Sequence, residues 1–236
     1  MSGVRFRQNL ALLAFVGCFL TLLAVAPIFS RAQQPAGAQA DQAQKRKTST
    51  PYTGDLSHFE YPNRDKKLQV NRVMDLLGIA PGKSVADIGA GSGWFSVRAA
   101  QRVTSTGLVY AVDINPESIT YIEKRAKREG ISNIKGITGK PDDPLLPPHS
   151  VDAVLLLKTY HEIAEPVALM KKLRGALRPG ARVGIIDRNG KPEDHGVDQE
   201  IVLREVREAG YSLVGKYDFV KGDNEDYFLV LEAKQD

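Results

Sequence analysis

Cysteine is almost absent from this chain of 236 residues, because Cys18 is the only one. Beyond that position the sequence can form no disulfide bond, and it offers no thiol nucleophile and no cysteine ligand for a metal ion. The histidines are also few and scattered, so their spacing predicts no metal site. They are His58, His149, His161 and His195.

Acidic residues are missing from residues 1–32, where Arg5 and Arg7 precede an apolar run over residues 10–29. This pattern predicts a signal peptide or a membrane anchor over residues 1–32. The protein is therefore expected to be exported or associated with the inner membrane of a bacterial-type cell. Basic residues lie on both sides of the run in similar number, so the side of the membrane stays open.

An excess of basic residues is also lacking once this leader is set aside. The whole chain has a formal net charge of +4, but 29 basic residues stand against 28 acidic ones after residue 32. Proteins that bind nucleic acids usually present a clustered basic face. We therefore expect no nucleic-acid partner.

Large apolar residues are absent from residues 33–50, which are rich in alanine and glutamine. This composition predicts a disordered linker. From residue 51 the composition becomes that of a globular domain, and residues 51–236 are long enough to form one well-buried core.

Apolar strands and amphipathic helices alternate along this domain. Strands are predicted at 84–90, 107–114, 133–139, 151–160, 181–188, 211–220 and 226–234, and helices at 68–80, 94–103, 116–130, 166–180 and 197–210. Continuous apolar strands separated by helices are typical of a parallel sheet that is covered on both faces. The last two strands leave no room for a helix between them, so they are expected to form an antiparallel hairpin. The predicted fold is α/β, a doubly wound Rossmann-like sheet of seven strands.

Three glycines follow the first predicted strand at alternate positions, in the stretch Asp87-Ile88-Gly89-Ala90-Gly91-Ser92-Gly93. Glycine permits the sharp turn required there and lets a ligand approach the main chain. Asp113 ends the second strand, where a carboxylate can accept hydrogen bonds from ribose hydroxyls. Together these residues predict a nucleoside site at the carboxyl ends of the first two strands.

The glycine spacing distinguishes two ligand classes. A dinucleotide site has the spacing G-x-G-x-x-G, with a helix N-terminus facing the pyrophosphate. Here the spacing is G-x-G-x-G and Asp87 precedes it. That carboxylate would repel a pyrophosphate but suits an ammonium group, so a nicotinamide-dependent oxidoreductase is disfavoured.

Four stretches in this order resemble the class I S-adenosylmethionine-dependent methyltransferases, above all the group that includes quinone and small-molecule enzymes. They are "VADIGAGSG", "VYAVDI", "GKPDDPLLPPHSVDAVLL" and "LRPGARVGIID". The resemblance covers about residues 66–232. It implies S-adenosyl-L-methionine as the cofactor and a sheet of seven strands that ends in an antiparallel hairpin.

The resemblance also implies the cofactor-binding residues. Those implied for the methionine end are Asp87, Gly89, Ala90, Gly91 and Gly93. Asp113 and Ile114 would lie at the ribose, and Asp142 or Asp143 would approach the adenine amino group, in a loop shaped by Lys140 and Pro141. The alternative for Asp142 is a turn before Pro144.

The acceptor should meet the donor at the ends of the fourth and fifth strands, where the candidate catalytic residues are Tyr160, His161 and Asp187. His161 could act as a general base or anchor the substrate, or it could cap the following helix. Asp187 could orient a substrate or cap the next turn. Other polar residues at this rim are Lys158, Glu162 and Arg188.

Long insertions are lacking, so only residues 51–67 and 189–196 can cover the site. This favours a small-molecule or lipid acceptor, and residues 10–29 would place the enzyme at a membrane. The predicted function is methyl transfer by in-line displacement. The alternative is an exported, non-catalytic ligand-binding module on the same fold.

Overall fold

A central β-sheet organises the computed structural model, which describes residues 45–234. The strands are β1 (Ser84–Ile88), β2 (Leu108–Asp113), β3 (Ile134–Thr138), β4 (Val151–Leu157), β5 (Leu177–Asp187), β6 (Tyr211–Tyr217) and β7 (Tyr227–Ala233). The helices are α1 (Arg64–Leu68), α2 (Val70–Leu76), α3 (Trp94–Val103), α4 (Pro116–Arg128), α5 (Pro166–Ala176) and α6 (Gln199–Glu208).

The order of the strands across the sheet is β3-β2-β1-β4-β5-β7-β6. The first five strands pair in parallel, while β7 runs antiparallel to both β5 and β6. The predicted α/β sheet of seven strands with a C-terminal hairpin is confirmed. Strand order reverses between β1 and β4, which is where a doubly wound sheet opens a crevice for ligands.

Helices cover both faces of the sheet, and each face has its own apolar core. One core includes Leu169 and Leu173 of α5 and Val202 of α6, and the other includes Val73 of α2 and Phe95 of α3. The central strands β1, β2 and β4 are apolar along most of their length because both of their faces are buried, whereas the edge strands β3 and β6 are partly exposed.

The first predicted helix, 68–80, is shorter in the structure, where α2 spans Val70–Leu76 and a break at Gln69 separates it from α1. Gln69 has a left-handed backbone (φ 53°), and its side-chain amide donates to the carbonyl of Phe219 at 3.1 Å. The turn lets Leu68 and Val70, on either side of it, both be buried. Helical periodicity alone could not reveal this break, because its cause lies about 150 residues away.

Strand β5 begins at Leu177, four residues before the predicted start. Leu177 pairs with Val151, and the register then shifts so that Arg182 pairs with Ala153. The Pro179-Gly180 turn expected between helix and strand is accommodated within this irregularity, where Gly180 has φ 75°.

Residues 45–53, which we call the N-terminal arm, lie against the domain. The Arg46 guanidinium pairs with Glu205 at 2.9 Å and donates to the carbonyls of Tyr160 and Ile163. The Ser49 hydroxyl donates to the carbonyl of Pro192 at 2.8 Å. The predicted disordered linker, 33–50, therefore needs correction at its C-terminal end, because these polar contacts attach residues 45–50 to the domain.

The predicted leader, 1–32, and linker residues 33–44 lie outside the described residues. Within residues 45–234, no helix is long and apolar enough to cross a membrane.

Candidate active site

One cavity of about 950 Å³ opens at the carboxyl ends of β1, β2, β4 and β5. Its walls come from the glycine loop after β1, the segments that follow β2 and β4, and the N-terminal arm. Lining residues named in the sequence analysis include Asp87, Gly89, Ala90, Gly91, Asp113, Ile114, Lys140, Pro141, Lys158, His161, Glu162, Arg188 and His195. The crevice expected from the strand order is thus present.

The glycine loop is held against β2 by its own main chain. The amides of Gly89 and Ala90 both donate to the carbonyl of Val112, at 2.8 and 3.0 Å. Gly89 has φ 72°, and a Cβ atom there would lie 2.3 Å from the side chain of Thr159. Only glycine fits this position, since both the backbone conformation and the space exclude a side chain.

Gly93 has a structural role instead of a place in the cavity. It precedes α3 with φ 70°, and a Cβ atom there would lie 2.8 Å from Ile122. The prediction that Gly93 contacts the cofactor is not supported by this geometry, because the residue lies between α3 and α4.

Asp87 reaches the cavity from the end of β1 and is almost completely buried. The hydroxyl of Ser96 donates to its carboxylate at 2.6 Å. Burial raises the pKa of Asp87 to about 6, while the Ser96 hydrogen bond acts in the opposite direction and the charge of Asp113 adds to the increase. A cationic ligand would compensate this buried charge.

Asp113 connects the glycine loop to the end of β2. Its Oδ2 accepts from the Gly91 amide at 2.8 Å, and its Oδ1 accepts from the Asn115 amide at 2.9 Å. Burial raises the pKa of Asp113, although these amides favour the carboxylate. Ile114 follows it, half exposed, where it offers the cavity an apolar surface.

Asp142 and Asp143 do not line the cavity, in contrast to their predicted place at the adenine. The Lys172 ammonium of α5 lies 2.6 Å from Asp142 and 3.5 Å from Asp143. This hydrogen bond lowers the pKa of Asp142. The loop presents Lys140 and Pro141 to the cavity instead, so the aspartates are drawn away by an ion pair that the sequence pattern did not indicate.

Tyr160 is fully buried in the core between the sheet and helices α5 and α6, and it does not line the cavity. Arg46 lies over its ring, 5.3 Å from the centroid. Burial raises the pKa of its hydroxyl well above the ordinary value. Its proposed catalytic role is therefore corrected to a packing role.

His161 and Asp187 form a buried pair at the ends of β4 and β5. The imidazole Nδ1 lies 2.8 Å from Asp187 Oδ1, and the amides of His161 and Arg188 also donate to this carboxylate. Asp187 is completely buried and is not part of the cavity lining. It therefore orients His161, whose Nε2 is the atom left to face a ligand.

Several cavity residues were missed by sequence reasoning. The arm contributes Thr48 and the loop before β7 contributes Glu225, whereas Tyr52 belongs to the segment 51–67 that was predicted to cover the site. Glu225 pairs with Lys158 at 2.7 Å, and burial raises the pKa of its carboxyl to about 7. No local motif marks these positions, since each reaches the site through the tertiary fold.

The strand order, the glycine loop and the acid that ends β2 define the class I methyltransferase architecture. A family model described as a methyltransferase domain matches residues 79–211, which is more than half of the chain. The chain therefore belongs to this family of S-adenosyl-L-methionine-dependent methyltransferases, and S-adenosyl-L-methionine is its cofactor.

Individual relatives match the chain over part of their length. A protein-L-isoaspartate O-methyltransferase of Aeropyrum pernix is 34% identical over 119 residues, which are 49% of this chain and 43% of that protein. A 2-phytyl-1,4-naphtoquinone methyltransferase of Trichormus variabilis is 28% identical over 111 residues, 47% of this chain and 48% of that protein. The chain spans about half the length of these curated relatives.

The fold also matches solved structures. A SAM-dependent methyltransferase from Aquifex aeolicus superimposes with a TM-score of 0.67 at 23% identity, covering 76% of this chain and 98% of the other. At that identity the match demonstrates the fold.

Proposed function

We propose that this protein transfers the methyl group of S-adenosyl-L-methionine to a small or lipid-borne acceptor. The observation that supports this most directly is that one cavity joins two sets of residues. Asp87, Gly91 and Asp113 line its cofactor end, and His161 and Glu162 line the ends of β4 and β5.

In this proposal the cofactor lies along the ends of β1 and β2. Its ammonium group is placed near the Asp87 carboxylate and its ribose at Asp113, as the family resemblance implies. Adenine would contact Ile114 and the loop at Lys140 and Pro141, because Asp142 is engaged by Lys172.

Methyl transfer from a sulfonium needs little activation of the donor, so alignment and exclusion of water provide much of the rate. Tyr52, Leu56 and Phe59 form an apolar part of the cavity wall, with Phe59 beside Gly91 of the glycine loop. The Tyr52 and Phe59 rings meet edge to face, 5.0 Å apart. This apolar wall supports a small or lipid-borne acceptor, as does the sequence-based prediction of a membrane segment at residues 10–29.

Replacing His161 by asparagine is expected to lower kcat about 100-fold or more, because the acceptor loses the imidazole that Asp187 orients. Transfer of labelled methyl groups from S-adenosyl-L-methionine to a panel of quinols, phenols and lipid extracts would measure this. Affinity for S-adenosylhomocysteine should stay unchanged. The matched control is His149→Asn, since His149 lies outside the cavity.

The same assay separates the alternatives. Labelling of a protein fraction instead of small molecules would contradict the proposed acceptor class, although one relative is named for a protein substrate. S-adenosylhomocysteine binding without turnover on any acceptor would favour the non-catalytic module.

Affinity for S-adenosylhomocysteine is expected to fall as the pH drops below about 6, roughly tenfold for each unit. The pKa of Asp87 in the empty site is raised to about 6, mainly by burial. Below that pH the carboxyl is protonated, and binding of the ligand ammonium must first release the proton. Calorimetric titrations between pH 7.5 and 5 would measure the slope.

Protonation of Asp87 has the opposite effect on the stability of the folded protein. The pKa of Asp87 is higher in the folded protein than in the unfolded chain, so protonation of this carboxyl stabilises the folded protein without ligand. The stabilisation is complete below about pH 4, the ordinary pKa of an aspartate. This contribution is lost as the pH rises to about 6. Asp87→Asn should remove the pH dependence of binding. A steep profile that persists in this variant would assign the effect to another group.

A further inference from the structure

Two imidazoles and one carboxylate converge at the acceptor end of the cavity. One ligand atom each from His161, Glu162 and His195 lies within 4.8 Å of the others. Nε2 of His161 is 3.9 Å from Oε1 of Glu162, which is too long for a hydrogen bond. The two imidazole rings meet edge to face at 6.0 Å. The three groups therefore lie close together without forming hydrogen bonds to one another.

His161 already has the surroundings of a metal ligand. Its Nδ1 lies 2.8 Å from the buried Asp187 carboxylate, so Nδ1 is engaged there and Nε2 is the nitrogen left for a ligand. A carboxylate behind a ligating histidine fixes its tautomer and increases its basicity. Asp187 cannot turn toward the cavity, because the amides of His161 and Arg188 also bind it.

The loop that bears His195 is fixed in place. His195 has a left-handed backbone (φ 51°), and its carbonyl accepts from Arg188 Nε at 3.1 Å. Arg188 also donates to the carbonyl of Asp194. Within residues 45–234, no hydrogen-bonding partner is found for either nitrogen of the His195 ring.

The N-terminal arm connects the two loops that provide these groups. Arg46 donates to the carbonyls of Tyr160 and Ile163, on either side of His161 and Glu162. Ser49 binds the carbonyl of Pro192, three residues before His195. The arm thereby contacts both loops at the same end of the cavity.

We propose that His161, Glu162 and His195 bind a divalent transition-metal ion of the zinc type. Two histidines and one glutamate are a typical ligand set for zinc sites that keep an open coordination position. Tetrahedral ligands about 2.1 Å from an ion lie ~3.4 Å apart. Binding thus requires the groups to close by roughly 1 Å, a movement that the exposed ring of His195 permits.

All three residues line the cavity, so an acceptor could reach a coordination position left open on the ion, and His161 would then act as a ligand in place of a general base. This site deepens the proposed function and rests on it in naming the acceptor. An acceptor hydroxyl bound to the ion loses its proton to water more readily. Its oxygen then forms the bond to the methyl carbon as the carbon–sulfur bond breaks, and the electron pair of that bond stays on the neutral thioether. This geometry favours an oxygen acceptor.

Titration of the full-length chain with Zn²⁺ tests the site itself, without acceptor or turnover. The protein should carry no histidine tag. We expect one ion per chain with micromolar or tighter affinity, weakened at least tenfold in His195→Ala and in Glu162→Gln. His58→Ala is the matched control, because His58 is also exposed but lies outside the cavity.

S-adenosylhomocysteine binding by each variant shows that it is folded. Equal Zn²⁺ affinity in the wild type, His195→Ala and Glu162→Gln would overturn the proposal, as would failure of the wild type to bind the ion. If the wild type binds Zn²⁺ but does not bind S-adenosylhomocysteine, the result would support the metal site and contradict the methyltransferase proposal.

Discussion

Replacing Asp113 by alanine is expected to weaken S-adenosylhomocysteine binding at least 100-fold. Each hydrogen bond to a charged group contributes about 1.5–3 kcal/mol, and the proposed ribose position provides two of them. The substitution also removes the oxygen that accepts from the Gly91 amide at 2.8 Å. A loss of about 3 kcal/mol or more corresponds to more than two decades in Kd. Isothermal titration calorimetry would measure it.

The matched control for this prediction is Asp142→Ala. Both aspartates were predicted from sequence to contact the cofactor, but only Asp113 lines the cavity. Asp142 is paired with Lys172, so its replacement by alanine should leave the affinity for S-adenosylhomocysteine almost unchanged. Equal losses in the two variants would contradict the assignment made from the structure. Thermal unfolding of Asp113→Ala, measured beside the titration, distinguishes lost binding from misfolding.

Replacing Asp223 by alanine is expected to lower the free energy of unfolding by about 3–5 kcal/mol. Asp223 is completely buried and accepts from the Tyr61 hydroxyl and from Arg64 Nε at 3.4 Å. Arg64 is itself buried, 4.3 Å above the Trp94 ring. Without Asp223 the guanidinium would remain a buried charge lacking its carboxylate, which is the costly half of a buried ion pair.

Thermal unfolding would show this loss as a decrease in Tm of roughly 6–20 °C. The control is Asp218→Ala, in the same loop, whose carboxylate pairs with Lys221 at the surface. Exposed pairs contribute about 0–1 kcal/mol. A small effect of Asp223→Ala, similar to the control, would mean that the Arg64 charge is solvated in some other way.

Most of the sheet could be predicted from the sequence, because the central strands are nearly continuous apolar runs bounded by glycine, proline or polar residues. The lining of the cavity at the end of β1 could also be predicted, since Asp87, Gly89 and Gly91 lie within one short stretch and their backbone requirements are local. The break at Gln69 could not be predicted from the sequence, because the carbonyl that accepts a hydrogen bond from its side chain belongs to Phe219.

Side-chain direction limited the site predictions in a similar way. Asp142 and Asp143 are in the loop predicted for adenine, but Lys172 of α5 turns them away from the cavity. Tyr160 and His161 are neighbours in the sequence, yet only His161 reaches the cavity. A motif locates the main chain, whereas the packing of a distant helix or strand selects which side chain faces the ligand.

By itself, the sequence determined the α/β class and the glycine loop that lines the cavity at the end of β1, because short-range backbone and burial requirements specify both. Only the tertiary structure placed His195 beside His161 and Glu162 and attached the arm through Arg46. Those groups are distant along the chain and no spacing rule relates them. They meet because β4 and β5 are neighbours in the sheet and end at the same edge.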